Sequence, residues 1–116
     1  MAEDLRSLTL ALREFARARD WDQFHAPKNL AMALTVEAAE LMEHFQWLDG
    51  PQSEQLSEAQ REAVALEAAD VLLYLLRLAD RLGIDLGAVA ARKLAINESR
   101  YPVEKARGKH LKHDQL

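Results

Sequence analysis

The sequence predicts an all-α protein built as a four-helix bundle, and three observations carry that expectation. Across 116 residues there are only 4 Gly and 3 Pro, too few for the many turns of a β fold. The commonest residues, Ala, Leu, Glu and Arg, are strong helix formers. Apolar residues recur at intervals of three and four, which lines one face of a helix.

The first helix is expected from about Asp4 to Asp20, with Leu5, Leu8, Leu12 and Phe15 as its apolar face. Trp21 to Ala26 reads as a connector. Pro27 suits the first position of a second helix, where its missing N–H costs nothing. Leu30, Leu34, Leu41 and Phe45 give that helix a core face, and Asp49-Gly50-Pro51 stops it after Leu48. Residues 52–56 read as a polar loop. Ser57 opens the third helix, with Gln60 completing a capping box, and Gly83 ends it after Leu82. Asp85 caps the fourth, which closes near Tyr101-Pro102. This divides the chain into a helical catalytic domain, residues 1–102, and a basic polar tail, 103–116, expected to be mobile unless a partner orders it.

Composition narrows the class. The apolar share is 49% and the charged share 29%, ordinary for a folded protein. There is no Cys, which excludes thiolate metal sites and suits a reducing cytoplasm. The start, Met1-Ala2-Glu3-Asp4, has neither the charge nor the apolar core of a secretory leader. The most apolar run, Val71 to Leu76, is too short to span a bilayer, so no membrane is expected. A net charge of −4 argues against a nucleic-acid polymer as partner, though not against a nucleotide whose phosphates a metal neutralises.

The chemistry lies in two acidic doublets. Glu37 and Glu40 stand three apart on the second helix, and Glu67 and Asp70 three apart on the third. Residues so spaced share a helix face, so packed helices can bring four carboxylates together. On the third helix Val71, Leu72, Leu73, Leu75 and Leu76 cover most of the circumference and leave one polar stripe of Glu67, Asp70, Tyr74, Arg77 and Arg81. A helix apolar nearly all round is normally buried, so such a stripe can line a cavity. Spacing alone equally allows both stripes to be solvated faces. Converged carboxylates, however, need a cation or a shared proton, because two charges about 5 Å apart repel by about 3 kcal/mol at an effective dielectric near 20. All-oxygen ligands select a hard ion, Mg²⁺ or Mn²⁺.

Two further groups accompany the doublets. Lys93, Asn97 and Arg100 share one face of the fourth helix, with Tyr101 at its edge. They can hold phosphate oxygens or simply form a basic stripe near a helix C-terminus. Trp21, Phe24 and His25 lie in the first connector, and Trp47 sits on the acidic face of the second helix. These rings can stack on a base or cap the core. His110 and His113 read as solvated.

The doublets Glu37-Ala38-Ala39-Glu40 and Glu67-Ala68-Ala69-Asp70 match the Glu-x-x-Glu, spacer, Glu-x-x-Asp hallmark of a known group. Arg19-Asp20-Trp21, Phe24 through Leu30, Phe45-Gln46-Trp47, Asp70 through Leu75, and Lys93 through Asn97 to Arg100-Tyr101-Pro102 extend the likeness over about residues 10–108. The chain resembles the MazG-like all-α nucleotide pyrophosphohydrolases, specifically their dCTP pyrophosphatase branch. The resemblance implies that Glu37, Glu40, Glu67 and Asp70 bind Mg²⁺ and are catalytic. It implies that Lys93, Asn97, Arg100 and Tyr101 contact phosphates or sugar, and that Trp21, His25, Trp47 and Tyr74 enclose the base. It further implies a homodimer or homotetramer and attack of water on the α-phosphorus of a (deoxy)nucleoside triphosphate, possibly dCTP or a modified dNTP. Two departures leave the base preference open. Animal members of the branch carry a histidine where Leu12 aligns, and the loop between the acidic doublets is shorter here.

Two rivals are weighed against this. A di-iron bundle needs Glu-x-x-His on two helices, which neither doublet supplies. A non-enzymatic helical interaction module would use the same stripes as interface or solvent.

Overall fold

A computed structural model of the chain describes residues 4–116. Met1, Ala2 and Glu3, which bear on the expected lack of a leader, lie outside the described residues. The described residues are helical, with no strand among them: α1 Leu5–Ala18, a 3-10 turn Asp22–Phe24, α2 Pro27–Glu43, α3 Gly50–Ser53, α4 Glu58–Arg81, α5 Leu86–Arg100, α6 Val103–Ala106 and a 3-10 turn His113–Gln115. Among them no helix is long and apolar enough to cross a membrane.

Most boundaries follow local chemistry. Asp4 caps α1 by accepting from the Ser7 N–H, and Pro27 occupies the first turn of α2. Ser57 and Gln60 form the reciprocal capping box at the start of α4. Asp85 accepts from the Ala88 N–H at the start of α5. α4 ends in a Schellman motif: Gly83 stands at φ +67, its N–H donates to the Asp80 carbonyl, and the Ile84 N–H donates to that of Ala79.

Three expectations need correction. α2 stops at Glu43 rather than Leu48; His44 to Trp47 form hydrogen-bonded turns in which the Phe45 N–H reaches the Met42 carbonyl. A histidine and two aromatics in four residues lower helix propensity there. Residues 50–53 are helical rather than loop, because Asp49 and Gln52 make a second capping box. α1 ends in another Schellman motif, with Asp20 at φ 55 in the glycine position and the Trp21 N–H donating to the Ala16 carbonyl. Asp tolerates this left-handed conformation better than most side chains.

Two compact units divide at Ile84 and Asp85. In the first, α4 packs mainly against α2 and secondarily against α1, and the closed core is small: Ala16, Leu30, Leu76 and Ala79. The second unit runs from Asp85 to Leu116 and holds α5 and α6. Its tail is not uniformly irregular, since α6 and the last 3-10 turn lie in it and the rings of His113 and Tyr101 meet edge to face at 5.9 Å.

Candidate active site

The doublets on α2 and α4 converge. Ligand oxygens of Glu37, Glu67 and Asp70 lie within 4.8 Å of one another. Glu40 joins them, because its carboxylate also acts on Glu67. The Glu67 carboxyl is pushed up to about 8 from an ordinary 4.5, first by hydrogen bonding with Glu37, then by desolvation, then by hydrogen bonding with Glu40 and by both neighbours' charges. A proton retained so far above the usual carboxylate range stands where a cation would relieve the same repulsion. The donors are all hard oxygens, which fits a divalent ion of the Mg²⁺ type. A more open cavity of about 540 Å³ adjoins, lined by Glu40, Glu43, His44, Gln46 and Glu67.

On the α1 side of α4 lies a cavity of about 390 Å³. One wall is the apolar face of α1, from Leu8, Ala11, Leu12, Phe15 and Ala16; the opposite wall is Asp70, Leu73, Tyr74 and Arg77 of α4; Trp21 and His25 of the connector complete it. The apolar stripe of α1, expected to be core, is therefore largely the wall of a cavity, with Phe15 46% exposed. The aromatic side is ordered by contacts: Trp21 meets Phe15 edge-on at 5.6 Å and His25 at 6.2 Å. Asp20 contributes by turning the chain so that Trp21 lies back over the end of α1.

Arg77 holds the connector to α4. It is 5% exposed. Its Nε donates to His25 Nδ1 at 3.0 Å, Nη2 to Asp22, and Nη1 to Asp80 at 3.4 Å. Arg13 of α1 donates to both oxygens of Asp80, at 2.6 and 3.1 Å. That contact, led by the Arg13 hydrogen bond, holds the Asp80 carboxyl below its usual range. Burial, followed by the Arg77 charge, pushes the His25 imidazole down.

Of the residues named from sequence, Glu37, Glu67 and Asp70 come together with Glu40 against Glu67, and Trp21, His25 and Tyr74 line the cavity beside Asp70. Trp47 does not line it and is 86% exposed in the single chain. Lys93, Asn97, Arg100 and Tyr101 belong to the second unit, where the Tyr101 N–H donates to the Asn97 carbonyl at the end of α5. Spacing alone gives no sign of Asp22 or of most of the α1 wall as site residues; Leu12 is marked only by its departure from the family, and Arg77 only by its place in the mixed polar stripe of α4.

A family model described as the MazG-like family matches residues 32–116, which contain both doublets and all of α5. The chain belongs to the MazG-like family. Over 98% of its length this MazG-like chain is 45% identical to dCTP pyrophosphatase 1 of Rattus norvegicus and to that of Homo sapiens. It spans about 66% of the length of these curated relatives. Its fold is similar to the crystal structure of a pyrophosphatase from Archaeoglobus fulgidus, with a TM-score of 0.80 and 39% identity, covering 88% of this chain and 95% of that one.

Proposed function

We propose that this MazG-like chain hydrolyses (deoxy)nucleoside triphosphates to the monophosphate and pyrophosphate, with Mg²⁺, or alternatively Mn²⁺, held by Glu37, Glu40, Glu67 and Asp70. One observation carries the proposal: Asp70 belongs at once to the carboxylate cluster and to the wall of the cavity. A base seated between Trp21 and Tyr74 therefore has its phosphates directed toward the acidic group. The names of the relatives, dCTP pyrophosphatases and an archaeal pyrophosphatase, support the same chemistry. dCTP or a modified deoxynucleotide is the proposed substrate.

A divalent ion in the cluster supplies charge neutralisation for the triphosphate and polarisation of its phosphorus. Glu37 or Glu40 takes the proton of the attacking water as general base. The water oxygen bonds to the α-phosphorus while the bond from that phosphorus to the α–β bridging oxygen breaks, and pyrophosphate leaves. Lys93 and Arg100 offset charge on the departing phosphates, with Asn97 and Tyr101 contacting phosphate or sugar. The catalytic part is residues 1–102, followed by the basic tail. The protein acts as a homodimer or homotetramer, which would cover Met32, Val36, Met42, Leu66 and Trp47, all exposed in the single chain. The cysteine-free composition suits a reducing cytoplasm, the compartment proposed.

Pyrophosphate release across canonical and modified dNTPs with Mg²⁺ tests this. Turnover of at least one deoxynucleotide is expected. No release from any triphosphate, with Mg²⁺ or Mn²⁺, would leave the helical interaction module as the function.

A pH signature is also expected. The folded Glu67 carboxyl titrates at about 8 and the unfolded one near 4.5. Its contribution to stability is therefore fully present below 4.5 and is lost as pH rises through 8. Mg²⁺ takes the proton's place, so the gain in Tm from Mg²⁺ over EDTA should grow across that window. A Glu67→Gln chain should show a gain much less dependent on pH. A wild-type gain that is flat with pH would remove the ion from this cluster.

A further inference from the structure

We propose that the buried Arg77 is a positioning residue that fixes His25 as its Nε2–H tautomer, so that the cavity offers a hydrogen-bond donor to an acceptor atom of the bound base. The inference rests on the cavity being the base site. Arg77 carries donors and no acceptor. Its Nε reaches His25 Nδ1 at 3.0 Å, so Nδ1 accepts and carries no proton. A neutral ring must then bear its proton on Nε2. The doubly protonated ring is incompatible with this contact, because both its nitrogens are donors.

The arginine cannot easily turn away. It is 5% exposed, and Asp22 and Asp80 hold its two terminal nitrogens. The ring is braced edge-on by Trp21 and lines the cavity. Charge reinforces the arrangement. Burial lowers the His25 pKa first, then the Arg77 charge, with Arg81 lowering it further and Asp22 opposing. The wall of α1 facing the cavity, Leu8, Ala11 and Leu12 among its residues, offers no side-chain donor. The ligand class so favoured is a base with a carbonyl oxygen or an unprotonated ring nitrogen on the edge facing the connector.

Two substitutions separate the nitrogens. In His25→Asn the amide oxygen stands near the Nδ1 position and can still accept from Arg77, but nothing reaches the Nε2 position. In His25→Gln the amide nitrogen reaches the Nε2 position, and the Arg77 contact is lost. The full-length chain labelled with ¹⁵N-histidine should give, at neutral pH, a His25 signal with Nε2 protonated and Nδ1 bare, assigned by its disappearance in His25→Asn. The KM for the best deoxynucleotide should rise about ten-fold in His25→Asn, the equivalent of one hydrogen bond, with a much smaller change in kcat and Tm. His25→Gln should keep KM within a few-fold of wild type while melting earlier. A purely structural histidine would reverse this order. A His25 protonated on Nδ1, or turnover with unchanged KM in His25→Asn, would overturn this inference alone. Absence of turnover in the wild type would overturn the nucleotide reading and this inference together.

Discussion

Replacing either Glu40 by Gln or Asp70 by Asn is expected to abolish pyrophosphate release, lowering kcat by on the order of a thousand-fold or more, about 4 kcal/mol of transition-state stabilisation. Each change keeps the side-chain shape and removes one hard anionic ligand from a group that must hold a divalent ion. Neither should unfold the protein. Both residues are exposed on regular helices, and each now adds charge to a cluster already repulsive enough to retain a proton on Glu67. In EDTA the variants should therefore melt no earlier than wild type, while the extra stability given by Mg²⁺ should largely vanish. Release kinetics and melting with and without Mg²⁺ read both halves. Near-normal release from both variants would remove the catalytic and metal assignments from these carboxylates.

How far the sequence discloses this site depends on how local each feature is. Ser57 with Gln60, Gly83 and Asp85 mark helix ends through hydrogen bonds between near neighbours, and Pro27 does so by its missing N–H; all are legible. Asp49 and Gln52 carry the same capping signature. In the sequence, Asp49 with Gly50 and Pro51 reads as the stop of the second helix, and that reading conceals its actual use as the cap of α3. Asp20 is less legible, because a non-glycine residue in the left-handed region has no spacing that announces it.

The site divides in the same way. Helical spacing places Glu37 with Glu40 and Glu67 with Asp70 on single faces. Only the packing of α2 on α4 turns two pairs into one cluster. The face Leu8, Leu12 and Phe15 is visible as apolar, but periodicity says nothing of whether a neighbour fills against it, and in this chain it walls a cavity. Arg77 is the extreme case. Its partners His25 and Asp22 lie 52 and 55 residues away, on an irregular connector without periodicity to align them.

That long-range tie makes Arg77→Met the substitution with the largest expected effect on stability. Arg77 is one of the few side chains in the first unit that is nearly closed from water; its contacts with His25 and Asp22 pin the connector to α4, and Asp80 of α4 itself holds the guanidinium in place. A buried, hydrogen-bonded cation removed from its partners typically costs about 3–5 kcal/mol. The lower end, about 3 kcal/mol, applies here, because the Asp22 side chain is 46% exposed and can rehydrate, and Asp80 keeps Arg13. For a domain of this size that corresponds to a Tm lower by about 12 °C or more. Arg77→Lys should recover only part of it, since an ammonium cannot satisfy three partners in a fixed plane. Arg13→Met is the control. Its side chain is 46% exposed, and an ion pair so hydrated is worth at most about 1 kcal/mol. Thermal melts of the three variants give the comparison. Equal losses in Arg13→Met and Arg77→Met would show that burial adds nothing to the tie and that the connector is held by the contact of Trp21 with Phe15 of α1 instead.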